Sequence, residues 1–191
     1  MKVNEIFYSL QGEGFWTGTP AVFVRLSGCN LRCPFCDTQH DSGEQMTEAQ
    51  IVDAVAQYPA KHVVITGGEP SLWLTDSLVA ALHARGRWVA VETNGTRPLP
   101  ESVDWVTLSP KDAFVEGATP VVQRCDELKV VFDGSPVHEY AHIQAAHRFL
   151  QPCDTGNDQR NQAITAACIE HIKAHPQWRL SLQTHKFTHI P

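Results

Sequence analysis

The sequence predicts an α/β fold: a partial, open (β/α) barrel, shortened relative to a full eight-fold barrel. Three observations point there. Short apolar runs alternate with amphipathic segments, the pattern of a parallel sheet with right-handed crossovers. The chain has 191 residues, whereas a complete eight-fold barrel takes about 250. Some links between strand-like runs, such as 93–104, carry no helical pattern. The length suggests one domain, 1–191, with room for a core.

The elements follow in order. AVFVRL (21–26) reads as a strand. TEAQIVDAVAQY (47–58) places Ile51, Val52, Val55 and Ala56 at helical spacing, with Thr47 as N-cap. HVVIT (62–66) is a short buried strand closed by Gly67-Gly68, and SLVAALHARG (77–86) is a helix with a glycine stop. WVAVET (88–93), DWVTLS (104–109) and ELKVVF (127–132) are strands. VHEYAHIQAAH (137–147) reads as a helix and RFLQ (148–151) as a strand. NQAITAACIEHIKAH (161–175) is a helix with Pro176 past its end, and WRLSLQT (178–184) is the last strand. No internal repeat or low-complexity tract interrupts this order. In such sheets ligands bind outside the carboxyl ends of the strands. Cys29, Gly67-Gly68-Glu69, Thr93-Asn94-Gly95 and Ser109-Pro110-Lys111 all follow strands there.

Composition narrows the class. No stretch approaches the roughly 20 apolar residues of a membrane span, and no apolar run follows a basic start, so neither a membrane segment nor a signal peptide is expected. A net charge of −6 without a Lys/Arg run argues against nucleic-acid binding. Six cysteines in such a chain read as reduced thiols and a cytoplasmic location.

Three of those thiols crowd into CNLRCPFCDT (29–38): Cys29, Cys33 and Cys36. Thiolates bind soft metals. A structural zinc site takes four ligands, which would enlist His40 or Asp37. A four-iron cluster normally takes four thiolates, so three leave one iron open to a small molecule. Cys33-x2-Cys36 alone could be a redox pair, which leaves Cys29 without a role. Of the remaining thiols, Cys153 reads as a small hydrophobe and Cys125 and Cys168 as core or surface thiols.

The C-x3-C-x2-C spacing, with an aromatic before the third cysteine, resembles the cluster loop of radical S-adenosylmethionine enzymes. VVITGGEP (63–70) resembles that family's second signature, a glycine turn ending the next strand. The resemblance implies a [4Fe-4S] cluster whose open iron chelates S-adenosylmethionine, with Glu69 holding the methionine ammonium. Reductive cleavage then gives a 5′-deoxyadenosyl radical.

Further segments extend the match from residue 5 to the C-terminus: YSLQGEGFWTGTPAVFVRLSGCNLRCPFCDT (8–38), VETNGT (91–96), SPK (109–111), LQP (150–152) and LSLQTHKFTHIP (180–191). Together these are similar to the 7-carboxy-7-deazaguanine synthases of 7-deazapurine and queuosine biosynthesis. That family contracts 6-carboxy-5,6,7,8-tetrahydropterin to 7-carboxy-7-deazaguanine with loss of ammonia, after hydrogen abstraction from C6, and regenerates S-adenosylmethionine. It also uses Mg2+, a flavodoxin-like reductant and a homodimer. An alternative within the superfamily is a glycyl-radical activase, which has no reason for the LQGEG and QTHK segments.

The resemblance assigns residues as follows. Leu10, Gln11, Gly12 and Glu13 bind the pterin edge, and Arg25, a guanidinium inside an apolar strand, takes the substrate carboxylate. Thr93, His185 and the terminal Pro191 also face substrate. S-adenosylmethionine lies against Phe35, Cys36 and Asp37, then Gly67, Gly68 and Glu69, Gly95, Ser109, Pro110 and Lys111, and Gln151, Pro152, Cys153 and Asp154. Thr38 is the implied Mg2+ ligand. One departure stands out. Only about ten residues link Thr38 to the helix at Thr47, where many family members carry a longer insertion.

Overall fold

The computed structural model describes residues 1–191. It contains one nine-stranded sheet, mostly parallel and not closed, with helices on its outer face. Strands are β1 (Lys2–Leu10), β2 (Pro20–Leu26), β3 (Glu44–Gln45), β4 (His62–Gly67), β5 (Trp88–Thr93), β6 (Trp105–Leu108), β7 (Arg124–Phe132), β8 (Gln144–Pro152) and β9 (Arg179–Leu180). Helices are α1 (Glu48–Ala56), α2 (Asp76–Ala84), α3 (Asp158–Ala174) and α4 (Thr184–Thr188), with a short 3-10 turn at Pro70–Leu72. The strand order is β3-β1-β2-β4-β5-β6-β7-β8-β9. From β2 to β9 every neighbour is parallel.

Period-two alternation explains the two faces of β2. Val22, Val24 and Leu26 join Ile51, Val52 and Val55 of α1 and Leu78, Val79 and Leu82 of α2 in one core. Each such side chain contributes about 1.5–3 kcal/mol on burial. On the concave face Ala21 and Phe23 pack with Val64 and Ala90. A second core joins Leu128 and Val130 of β7, Leu150 of β8 and Ile164 and Cys168 of α3. The caps agree with the sequence. Thr47 and Gln50 form a capping box on α1, and Gly86 takes φ 68° just past α2.

Several elements differ from the sequence reading. Residues 2–10 form a strand antiparallel to β2, so the sheet is mixed at one edge. A bulge between Val3 and Glu5 lets Asn4 Nδ2 donate to Gln39 O and Ser42 O, both at 3.1 Å. The short link after the cysteine loop is pinned there. Residues 137–147 are not a helix. Tyr140 sits at φ 45° with its hydroxyl on Asp112 Oδ1 at 2.5 Å, and β8 already begins at Gln144. The nine-residue edge of β7 needs a partner, and strand pairing there outweighs a weak helical pattern. The last strand shortens to Arg179–Leu180, and the chain turns into α4.

The sheet does not close, but the chain bridges the gap. Residues 11–19, between β1 and β2, reach the far side: Gly14 N donates to Ser181 Oγ at 2.9 Å and Phe15 N to Glu127 Oε2 at 3.0 Å. Trp16 meets Trp88 and Trp105 edge-on, with ring centroids at 5.2 and 5.3 Å, and His62 at 5.5 Å. His62 and Trp88 begin β4 and β5, so this aromatic base closes the N-terminal end of the open barrel.

Candidate functional site

The other end of the sheet opens into a cavity of about 690 Å3, within the usual range for a small-molecule site. Its walls come from the loop after β2, the ends of β4 to β8, residues 10–13 and the C-terminal tail. The loop after β2 carries the three thiols. Gly28 N donates to His40 O at 2.8 Å and ties its base, and Cys36 N donates to Cys33 O at 3.2 Å in a turn. Cys29 and Cys33 are half-buried and Cys36 is exposed. Burial pushes the Cys29 and Cys33 thiols up, and neighbouring thiols, Cys36 among them, add to this. Thiolates so placed need a cationic metal centre to stay ionised. No three His, Cys, Asp or Glu side chains converge closely enough to hold one ion. That is not the closed four-ligand centre of structural zinc. Thiolates that each take a different iron of a cube need not converge on a point. The donor set fits a cluster.

The glycine turn after β4 packs on this loop. Gly68 N donates to Leu26 O at 3.0 Å and Glu69 N to Gly28 O at 2.9 Å. A Cβ on Gly68 would overlap the Gly28 carbonyl, and one on Gly67 would overlap the Leu26 backbone. The glycines are needed for the approach of two backbone segments, beside their place along the cavity. Glu69 is buried. Its Oε1 accepts from Ser71 N at 2.9 Å and Thr93 Oγ1 at 2.6 Å, and its Oε2 from Asn94 N at 2.7 Å. One carboxylate thus fixes the carboxyl ends of β4 and β5 together.

The floor is charged. Lys129, 5% exposed, places Nζ 2.5 Å from Glu13 Oε2 and 3.7 Å from Glu92 Oε1. Burial opposes ionisation of Glu13, but the Lys129 ammonium outweighs it and holds the carboxyl at about 2. Lys129 is itself raised: burial disfavours its charge, and Glu13, Glu92 and Glu127 more than compensate. Burial pushes Glu127 up. Gln11 Nε2 donates to Glu92 Oε1 at 3.0 Å. On the wall, Lys111 Nζ donates to Ser109 O and Oγ at 2.7 and 2.6 Å, and burial pulls it down to about 8. Arg25 Nε donates to Glu5 Oε1 at 2.7 Å. Its terminal nitrogens have no protein partner, and the guanidinium lies 5.7 Å from the Phe7 ring centre.

Most sequence-predicted residues meet in this cavity. Leu10, Gln11, Gly12, Glu13, Arg25, Phe35, Asp37, Thr38, Thr93, Ser109, Lys111, His185 and Pro191 line it with the three cysteines, the Gly67–Glu69 turn and the stretch from Gln151 to Asp154. Gly95 and Pro110 do not. At Gly95, φ 75°, an added Cβ would overlap Leu108 and crowd Pro120. Pro110 is buried behind Ser109 and Lys111. The sequence reading missed Thr66, Glu92, Thr107 and Lys129, which also line the cavity. Lys129 carried a signal, since a lysine amid an apolar strand is as anomalous as Arg25.

Comparison with known proteins agrees with this geometry. The Radical SAM superfamily pattern matches residues 23–114. A Bacteroides thetaiotaomicron protein named 7-carboxy-7-deazaguanine synthase is 56% identical, over 99% of this chain and 98% of its own. One of the same name from Bordetella pertussis is 43% identical, over 100% and 99%. The chain belongs to the 7-carboxy-7-deazaguanine synthase family of radical S-adenosylmethionine enzymes. The crystal structure of QueE from Escherichia coli superposes with a TM-score of 0.75 at 30% identity, covering 96% of this chain and 94% of that one. Membership in the synthase family sets aside the zinc and activase readings. The alignment with the Bordetella synthase runs to 216 positions, so that relative carries insertions this chain lacks. No helix is long and apolar enough to cross a membrane.

Proposed function

We propose that this chain converts 6-carboxy-5,6,7,8-tetrahydropterin to 7-carboxy-7-deazaguanine and ammonia, as a carbon–nitrogen lyase of 7-deazapurine biosynthesis. One observation carries the reading: a single cavity joins the three-thiol loop, the Gly67–Glu69 turn, Arg25 and the C-terminal tail. Cys29, Cys33 and Cys36 would hold the [4Fe-4S] cluster, with S-adenosylmethionine between Phe35, the Gly67–Glu69 turn, Lys111 and the Gln151–Asp154 stretch. When bound, cluster and S-adenosylmethionine supply a 5′-deoxyadenosyl radical under reduction.

The chain's own residues then bind and orient the pterin. Arg25 offers two free terminal nitrogens, a bidentate match for the pterin carboxylate. Glu13, Glu92 and Gln11 surround Lys129 on the floor, and their acceptor oxygens suit the donor-rich aminopyrimidine edge. Thr66 and Thr93 lie between floor and cluster loop. His185 and Pro191 line the cavity and would cover the bound pterin. Glu69 holds two strand ends in register, and a methionine ammonium would share its oxygens with three protein donors. Thr38 would hold Mg2+ together with water and substrate oxygens, as that ion commonly binds. We read 1–191 as one cytoplasmic domain, a homodimer reduced by a flavodoxin-like protein, with no nucleic-acid partner.

Anaerobic reconstitution with iron and sulfide, then incubation with the pterin, S-adenosylmethionine, Mg2+ and a reductant, tests the reading. Deazapurine acid is the expected product. 5′-Deoxyadenosine without deazapurine would reject the substrate. Cys36→Ser should lose the visible cluster absorbance and all product.

A further inference from the structure

Helix α4 carries a lysine with no part in the chemistry above. Lys186 Nζ lies 2.6 Å from Asp154 Oδ2 and 3.3 Å from Asp37 Oδ2. Asp37 directly follows the last cysteine of the cluster loop, and Asp154 lies just beyond β8. One ammonium therefore joins two carboxylates from distant parts of the cavity rim. Gln183, three residues earlier, donates to Asp37 Oδ2 at 3.3 Å and to Glu13 Oε1 at 3.1 Å. His185, the neighbour of Lys186, packs on Gly12 so closely that a Cβ there would overlap its ring. Within four residues the tail touches the cluster loop, the loop after β8 and the floor.

The tail is built to let go. Five residues do not sustain a helix alone. α4 has no side-chain N-cap bond, and none of its residues is buried. Its anchors are Thr184, donating to Gly12 O from N and Oγ1 at 2.9 Å each, Ser9 Oγ on Pro191 O at 3.1 Å, the two Gln183 bonds and the Lys186 pairs. Asp37 is more than half exposed and Lys186 about one-third. Ion pairs this exposed add little to global stability. They can break and reform without loss of the fold.

We propose that Lys186 is a positioning residue that couples the two ligand sites. It holds the substrate-side tail to Asp37 and Asp154 on the S-adenosylmethionine side, so each ligand binds more tightly when the other is present. The inference rests on the ligand placement given under the proposed function. By linkage the coupling is reciprocal: ordering of the tail by pterin completes the wall around S-adenosylmethionine. An enzyme so arranged cleaves little S-adenosylmethionine while the pterin is absent.

The reconstituted holoenzyme, its Lys186→Gln variant and its Lys186→Arg variant provide the test. Amide hydrogen exchange over 183–191, without ligands, should be at least about fivefold faster in Lys186→Gln and near wild type in Lys186→Arg, which keeps a bridging cation. S-Adenosylmethionine binding, measured with and without pterin, should tighten by about fivefold or more in wild type, the lower end of typical couplings. In Lys186→Gln the ratio should fall near one, with more 5′-deoxyadenosine formed per deazapurine. Unchanged tail exchange in Lys186→Gln, or an equal binding ratio in the two proteins, overturns the latch. A wild-type holoenzyme that forms no deazapurine overturns the proposed function instead, and the exchange measurement still decides whether Lys186 holds the tail.

Discussion

Replacing Lys129 with methionine would leave Glu13, Glu92 and Glu127 facing one another with no cation among them. Breaking a buried ion pair from one side costs about 3–5 kcal/mol. Urea unfolding of Lys129→Met should show a loss of that size, and adding Glu13→Gln should recover part of it. His62 gives a pH test. Burial lowers its pKa from 6.5 to about 4, so the folded protein keeps it neutral. The stability this contributes is fully present above pH 6.5 and falls as pH drops towards 4, at up to about 1.4 kcal/mol per pH unit. His62→Phe should flatten the stability curve in that window. Depressed Glu13 acts lower, losing its contribution as pH falls from 4.5 to about 2.

At the scale of elements, the bridging loop and α4 depend on glycines. Gly14 has φ 66°, and a Cβ there would overlap the Glu127 carboxylate. Gly14→Ala should push residues 11–19 off the far strands and cost more than the ~1 kcal/mol of a typical point substitution. Gly12→Ala, aimed at His185, should mainly raise the KM for the pterin and leave the thermal midpoint near wild type. Helices α1, α2 and α3 were legible because apolar spacing and end signals, Thr47 before α1, Gly86 past α2 and Pro176 past α3, agreed with the final packing. Helix α3 nonetheless starts earlier, at Asp158 behind an Asn157 cap. The supposed helix at 137–147 had the spacing but no cap, and the open edge of β7 claimed its last four residues for β8. Strand β1 was overlooked because its exposed Tyr8 and Leu10 blur the alternation that marks a half-buried strand.

For the molecule as a whole, the sequence exposed the site better than the frame. The cysteine loop, the glycine turn and the tail are contiguous segments, and contiguous chemistry can be read from a string. The floor cannot: parallel register of β5, β6 and β7 brings Glu92 near Lys129, and Glu13 reaches them only on the loop between β1 and β2. Gly95 shows what a string hides: the resemblance gave it a ligand role, and only the fold shows that a Cβ there would also overlap Leu108.

The base of the barrel has a practical consequence. Trp16, Trp88 and Trp105 are three of the five tryptophans, with rings held within about 6 Å of one another. Fixed indoles at that spacing give strong near-ultraviolet circular dichroism, which vanishes when tertiary packing loosens. The visible colour of the metal centre arises at the opposite end of the strands. Two optical bands of one sample therefore tell air-bleached but intact protein apart from protein that has come undone.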